Sequence, residues 1–269
     1  MRRYLAGVVL AGVGLVLSCS GGEQESAKPE AILTATVIID GTSLNTLNAW
    51  ATLSAEQLTD PSASELVMNN MSLPAHFDGY DLTYYGDIPL SDTITLSFTS
   101  TEFGNATGSV RANQDSVGVT LPTYQDTLPA DQDVLVQWTS DGSSDFYWLW
   151  VYVEFRDSLW NGLGTKRWTL AITDSTRYII PKDSLNISGM AFASASVTVE
   201  PTNGPLLEPG TQGNLSGDVG GFLHAKGFSG DVWFYVGNPV KGFVPREIKE
   251  PTQAERARFL SRLLGYKED

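Results

Sequence analysis

From Pro29 to about Val240 the chain repeats short runs in which apolar residues alternate with polar ones or stand together, each closed by Gly, Asp, Asn, Ser or Pro. A surface helix needs apolar residues three and four apart over ten or more positions, whereas period-two alternation lets a strand face a core on one side and water on the other. This rhythm confines the body to β-structure. The expected strands are Ile32–Ile39, Leu47–Leu53, Leu66–Leu73, Thr93–Thr99, Gly108–Ala112, Asp133–Thr139, Phe146–Phe155, Lys166–Ile172, Arg177–Ile180, Met190–Val199 and Val232–Val236. Their number exceeds the roughly seven strands of one sandwich, and 269 residues leave room for two domains. The expectation is an all-β fold of two antiparallel β-sandwich (Ig-like) units in tandem, residues 29–120 and 121–245, with a short C-terminal α-helix in 246–269. The boundary is set near Thr120, where Leu121-Pro122-Thr123-Tyr124 opens a fresh unit.

In the second unit Pro122 leads through the polar turn Asp126–Asp133 to Val134-Leu135-Val136-Gln137-Trp138-Thr139, a strand ending on an aromatic residue. These residues resemble the opening of bacterial immunoglobulin-like or fibronectin type III-like domains, and Asp145–Val153 fits the next strand. The resemblance implies a sandwich with a core Trp at position 138. No cysteine pair is present to make it an antibody-type domain. The first unit shares only the strand rhythm.

At the other end, Thr252-Gln253-Ala254-Glu255 has the pattern of a capping box, in which the Thr hydroxyl and Glu carboxylate satisfy amides at a helix start. Ala257, Leu260, Leu263 and Leu264 then share one face, with Phe259 at its edge and Gly265 as a stop. Arg256, Arg258 and Arg262 make the cationic cluster of the body. Packing this helix on its own sandwich and offering it to a partner are both open.

The N-terminus combines Arg2 and Arg3, an apolar run Leu5–Leu17 too short to span a bilayer, and the small residues around Ser18-Cys19-Ser20. Val16-Leu17-Ser18-Cys19 resembles the lipobox of bacterial lipoproteins. That resemblance implies a signal peptide over 1–18, lipidation (palmitate among the acyl chains) and new N-terminal status for Cys19, and a tether over 19–28. More than one acyl chain gives stable anchoring, so the implied partner is a membrane through the lipid anchor. Ser20 after Cys19 favours the outer membrane under the sorting rule of diderm bacteria, with the body in the periplasm or at the cell surface. The alternative is an ordinary secretory signal cleaved near Ser18. Cys19 is the sole cysteine, so no intrachain disulfide is available and stability must come from the core.

Formal net charge is −14, and between Pro29 and Thr120 Arg111 is the single basic residue. Such a surface repels phosphates, which argues against nucleic acid as a partner and against adsorption to anionic lipid by charge. His76 and His224 lie far apart without ligand or triad spacing, so neither a metal nor a catalytic site is expected. Asp141-Gly142-Ser143-Ser144-Asp145 reads first as a hairpin turn and second as a calcium loop. No glycine-rich phosphate loop opens a helix, and no cofactor is expected.

Six of the seven Trp residues fall between Trp138 and Trp233, and the Phe146–Phe155 strand is apolar on both faces. One face can be core; the other must meet the first unit, the C-terminal helix or a ligand. The ligand reading names Trp148, Trp150 and the hairpin-tip residue Trp160 as a platform for sugar rings. The reading that follows is a non-catalytic envelope lipoprotein serving as a structural or interaction module, with a protein or glycan as possible partner. Carbohydrate binding through the second unit is the alternative.

Overall fold

The computed structural model describes residues 31–39, 46–55, 63–77, 81–206 and 213–237. The signal segment, Cys19, the tether and the C-terminal helix of the sequence reading lie outside the described residues. What is described is all-β, apart from single 3-10 turns such as Lys182–Ser184. The first sandwich begins with β1 (Ala31–Ile39), β2 (Thr46–Ala55), β3 (Ser64–Met68), β4 (Met71–Leu73), β5 (Ala75–Phe77), β6 (Leu82–Pro89), β7 (Thr93–Ser100) and β8 (Gly104–Arg111). The second contains β9 (Gly118–Leu121), β10 (Thr127–Leu128), β11 (Val134–Thr139), β12 (Phe146–Arg156), β13 (Gly162–Ile172), β14 (Arg177–Ile180) and β15 (Phe192–Asn203). Then come β16 (Leu215–Gly217), β17 (Gly220–Lys226) and β18 (Gly230–Gly237).

In the second sandwich β14-β11-β9 faces β13-β12-β15-β18-β10. This order is E-B-A against C′-C-F-G with an A′ strand beside G, the strand order of fibronectin type III-like sandwiches. Its core is built by the odd residues of β12, from Tyr147 to Phe155, with Ala193, Ala195, Val197 and Val199 of β15 and Val232, Phe234 and Val236 of β18. Trp138 is buried there, edge-on to Tyr147 with ring centroids 5.5 Å apart.

Unlike the expected tandem, the sheets do not divide cleanly at Thr120. Between the F and G strands the chain returns to the first sandwich and supplies two of its strands. β16 pairs with β8 at one sheet edge, giving β16-β8-β7-β3-β4. β17 runs parallel to β1 through seven residue pairs, from Ile32↔Gly220 to Ile38↔Lys226. Leu215, Val219, Leu223 and Ala225 therefore belong to the first core, with Leu33, Leu53, Tyr84, Phe98 and Phe103. The β1–β17 and β10–β18 pairs are parallel, so the units are not purely antiparallel.

Close backbone approach explains part of this segment's sequence. A side chain at Gly221 would collide with the carbonyl oxygen of Leu33, and one at Gly227 with that of Asp115. At Gly227 the chain leaves one sandwich for the other. β15 pairs with β18 along Phe192–Val199 and with β17 at Thr202↔Lys226 and Asn203↔Ala225, so ten strands share one sheet across both units. The linker is tied in as well: Val117 N–H donates to Phe228 O at 3.0 Å and Phe228 N–H to Asp115 O at 2.8 Å.

Candidate functional site

Paired residues in a sheet point to the same side, so the register defines a continuous outer face opposite the two cores. On it stand Phe146, Trp148, Trp150 and Tyr152 of β12, Phe222, His224 and Lys226 of β17, and Trp233 and Tyr235 of β18. The second apolar side of β12 is thus resolved: its odd residues are core, and Phe146 and Trp148 pack with Phe222 from the inserted strand, with Leu206 and Ala171 alongside. The first unit's own complementing strand supplies that cover.

None of the three tryptophans named from sequence forms part of an open platform together with the others. Trp148 is buried in this small cluster. Trp150 is half-buried and donates its Nε1–H to Glu200 Oε2 at 2.8 Å. Trp160, in the β12–β13 loop with φ of 72°, turns back onto Phe192 with centroids 5.2 Å apart. The loop is tied down by Asp157, whose carboxylate accepts from the Leu159 and Asn161 amides. The Asn161 side-chain amide, donating to Asp157 Oδ2 at 2.9 Å, and then these backbone hydrogen bonds hold the Asp157 pKa below the ordinary carboxylate range.

Glu200 and Lys226 form a buried ion pair at the joint, with Lys226 Nζ 2.8 Å from the same Oε2 that receives Trp150. The ammonium also lies 6.0 Å from the Trp150 ring centroid. Nearby, His224 Nε2 is 2.7 Å from Pro205 O, a carbonyl that can only accept and so calls for a proton on Nε2. Burial pushes the His224 pKa down to about 4, with Lys226 adding repulsion. Because the folded pKa lies below the unfolded value of about 6.5, the unfolded chain binds more protons between these limits. Stability therefore falls as pH drops from about 6.5 to about 4, by about 3 kcal/mol from this group. Urea titrations at pH 7 and pH 4.5 should show most of that loss, and His224→Gln should flatten it.

The Asp141–Asp145 loop is a hydrogen-bonded turn. Asp141 accepts from Ser143 N–H at 2.8 Å, Asp145 from Gly204 N–H at 2.9 Å, and buried Asp115 from the hydroxyls of Ser140 and Ser144. With protein donors on these oxygens, the loop is knit to the linker and to Asn203, whose Oδ1 accepts from Asp145 N–H. Among the described residues no group of three His, Cys, Asp or Glu is placed to hold a metal ion.

Two surface features went unread in the sequence. Trp50, Tyr85 and His76 stack across β2, β6 and β5 at 5.7 and 5.2 Å, a ladder that needs the register of three strands to be seen. The other concerns sheet edges. Six edge strands, β4, β5, β9, β10, β14 and β16, span two to four residues each, while β13 spans eleven and pairs only with β12 among the described residues. Short edges block strand addition, whereas a long one offers a row of backbone donors and acceptors. The bulge in β13 lies at its Gly162 end, where Leu163 is skipped, so Thr165–Ile172 is in unbroken register with β12.

No family model and no curated protein matches the chain. Among solved structures, the Clostridium thermocellum CbhA fibronectin(III)-like modules match over 84% of this chain and 98% of that one, at 10% identity and a TM-score of 0.25. The sandwich assignment therefore stands on the strand order described above.

Proposed function

We propose that this chain is a non-catalytic envelope lipoprotein, anchored through Cys19, whose interlocked sandwiches act as a stiff interaction module at a membrane surface. The observation that carries the interaction role is the edge strand β13, eleven residues long and paired only with β12 among the described residues, where the other edge strands are short. Main-chain pairing along such an edge gives affinity, and the alternating side chains give selectivity. A partner strand would continue two surfaces, one beside half-buried Trp168, Leu170 and Ile172 and one beside Arg167 and Thr169. Support for the anchor is the lipobox-like Val16–Cys19 segment. Parent protein should partition with membranes and into detergent, and Cys19→Ala should move to the aqueous fraction. A Cys19→Ala protein that stays processed and membrane-bound would reject the anchor.

Glycan binding keeps one observation in its favour, the Trp50–Tyr85–His76 ladder, with Tyr85 41% exposed. Retention in glycan-containing gels that Tyr85→Ala abolishes would support it. Unchanged retention would remove it.

A further inference from the structure

Charge on the described body is unevenly placed. Among the described residues Arg111, Arg156 and Lys226 are paired with Asp145, Glu154 and Glu200. The remaining Lys and Arg side chains there, Lys166, Arg167, Arg177 and Lys182, make no ion pair. All of them lie at one side of the second sandwich, where β13 and β14 are the matching edges of the two facing sheets. Lys166 Nζ, 3.4 and 3.3 Å from the carbonyl oxygens of Asp183 and Ser184, ties the turn after β14 to β13. Arg167, Arg177 and Lys182 are exposed. Against these cations the same stretch sets only Asp174 and Asp183, and Asp174 already accepts from the Thr173 hydroxyl. A chain of net charge −14 therefore presents a positive border along its long described edge strand.

We propose that the occupant of the β13 edge is an acidic extended segment of a partner protein, selected by the pairing of its carboxylates with Lys166 and Arg167. This rests on the reading of β13 as an open edge given above, and names what that edge selects. Successive side chains of a strand point to opposite faces, so Lys166 and Arg167 stand on the two sides of the sheet and call for two adjacent carboxylates on the incoming strand. By the register with β12, Lys166 shares the core-side face with Trp168, Leu170 and Ile172, and Arg167 shares the outer face with Thr169. Trp168, Leu170 and Ile172 pack on the core yet stay half-buried, because the sheet stops beside them. Apolar residues at alternate positions of the partner would complete their cover, so the segment has an acidic pair at one end and alternating apolar residues beyond it. The Arg167 guanidinium is already held 4.8 Å from the Tyr152 ring centroid and the Lys166 ammonium 5.3 Å from that of Phe155, which leaves less side-chain freedom to lose on binding. A second copy of the chain lacks this chemistry. No residue of Gly162–Ile172 is acidic, so two β13 edges would leave Lys166 and Arg167 without counter-charge and bring together two bodies of charge −14.

The test uses the chain from residue 19 to Asp269 with Cys19→Ala, and short fluorescein-labelled peptides of alternating Val and Thr, followed by fluorescence anisotropy. One peptide carries two adjacent Glu at its N-terminal end and another carries them at its C-terminal end, to suit parallel and antiparallel pairing; matched peptides carry Lys instead. The expected result is that one Glu peptide binds at least about tenfold more tightly than its Lys counterpart at low salt, and that the gap narrows as salt is added. Lys166→Glu with Arg167→Glu should reverse the preference. Arg167→Glu alone, at an exposed side chain engaged only by the Tyr152 ring among the described residues, should remove most of it and serves if the double variant unfolds. Methylating every second peptide amide should abolish binding in one frame and spare it in the other, because a paired strand turns alternate amides to its neighbour. Equal binding of Glu and Lys peptides with that frame dependence would overturn the acidic partner and keep the open edge. No binding, or binding indifferent to the methylated frame, would overturn both. A parent chain that sediments as a dimer and is dissociated by the β13 substitutions would show that a second copy occupies the edge, and would overturn the proposal.

Discussion

Leu223→Asp is expected to unfold both sandwiches, although residue 223 lies more than a hundred positions beyond β8, the last strand of the first sandwich's N-terminal run. Leu223 is fully buried in the first core and is registered opposite Ala35. The substitution removes a core side chain, at about 2–5 kcal/mol, and leaves a carboxylate or its protonated form without a partner, at several kcal/mol more. That sum reaches the whole stability of an ordinary domain, about 5–15 kcal/mol. The damage spreads because β17 lies between β1 and β15, Phe222 packs on Phe146 and Trp148, and Lys226 neutralises Glu200. Near-UV circular dichroism should lose its aromatic signals from both units. A strict tandem would lose only the second unit's signals.

Lys226→Met should cost about 3–5 kcal/mol, because it leaves the Glu200 carboxylate buried without its ammonium partner. At about 2–4 °C per kcal/mol for a body of this size, the melting temperature should fall by on the order of 10 °C. The double variant Lys226→Met with Glu200→Gln should recover most of the loss, since a neutral amide can still accept from Trp150 Nε1–H without a buried charge. A double-mutant cycle measures that coupling directly. Two losses that merely add would mean the pair is independent and that the joint is held by packing alone.

The sequence displays the elements whose patterns are local. Arg177–Ile180 is strand β14 with the bounds read from its alternation, and the double-faced β12 announces that something covers its second side. Leu66–Leu73, read as one strand, is instead a hairpin: Asn69 and Asn70 both take positive φ, at 47° and 63°, which two asparagines tolerate better than most residues. The inserted β17 is not among the strands expected from sequence, because Gly220 and Gly221 open it and its register comes from a parallel partner nearly two hundred residues upstream. Strand rhythm says that a strand exists but not which sheet receives it. For the same reason the long β13 edge and the Trp50–Tyr85–His76 ladder appear only once neighbours are assigned. Trp160 sits at a hairpin tip in the sequence, which suits a ligand platform, but only the fold shows that it turns back onto Phe192.

The two sandwiches form one interlocked body, which on the proposed function would hold the β13 edge at a fixed place above a membrane. The most direct test is equilibrium urea unfolding of the chain from Cys19→Ala onward, followed by tryptophan fluorescence and by hydrogen exchange of amides in β1, β2 and β7. Six of the seven tryptophans report the second sandwich, and those strands report the first. One transition with the same midpoint for every probe is the predicted result. Two separate midpoints, with β1 and β7 still protected after the tryptophan signal is lost, would contradict it.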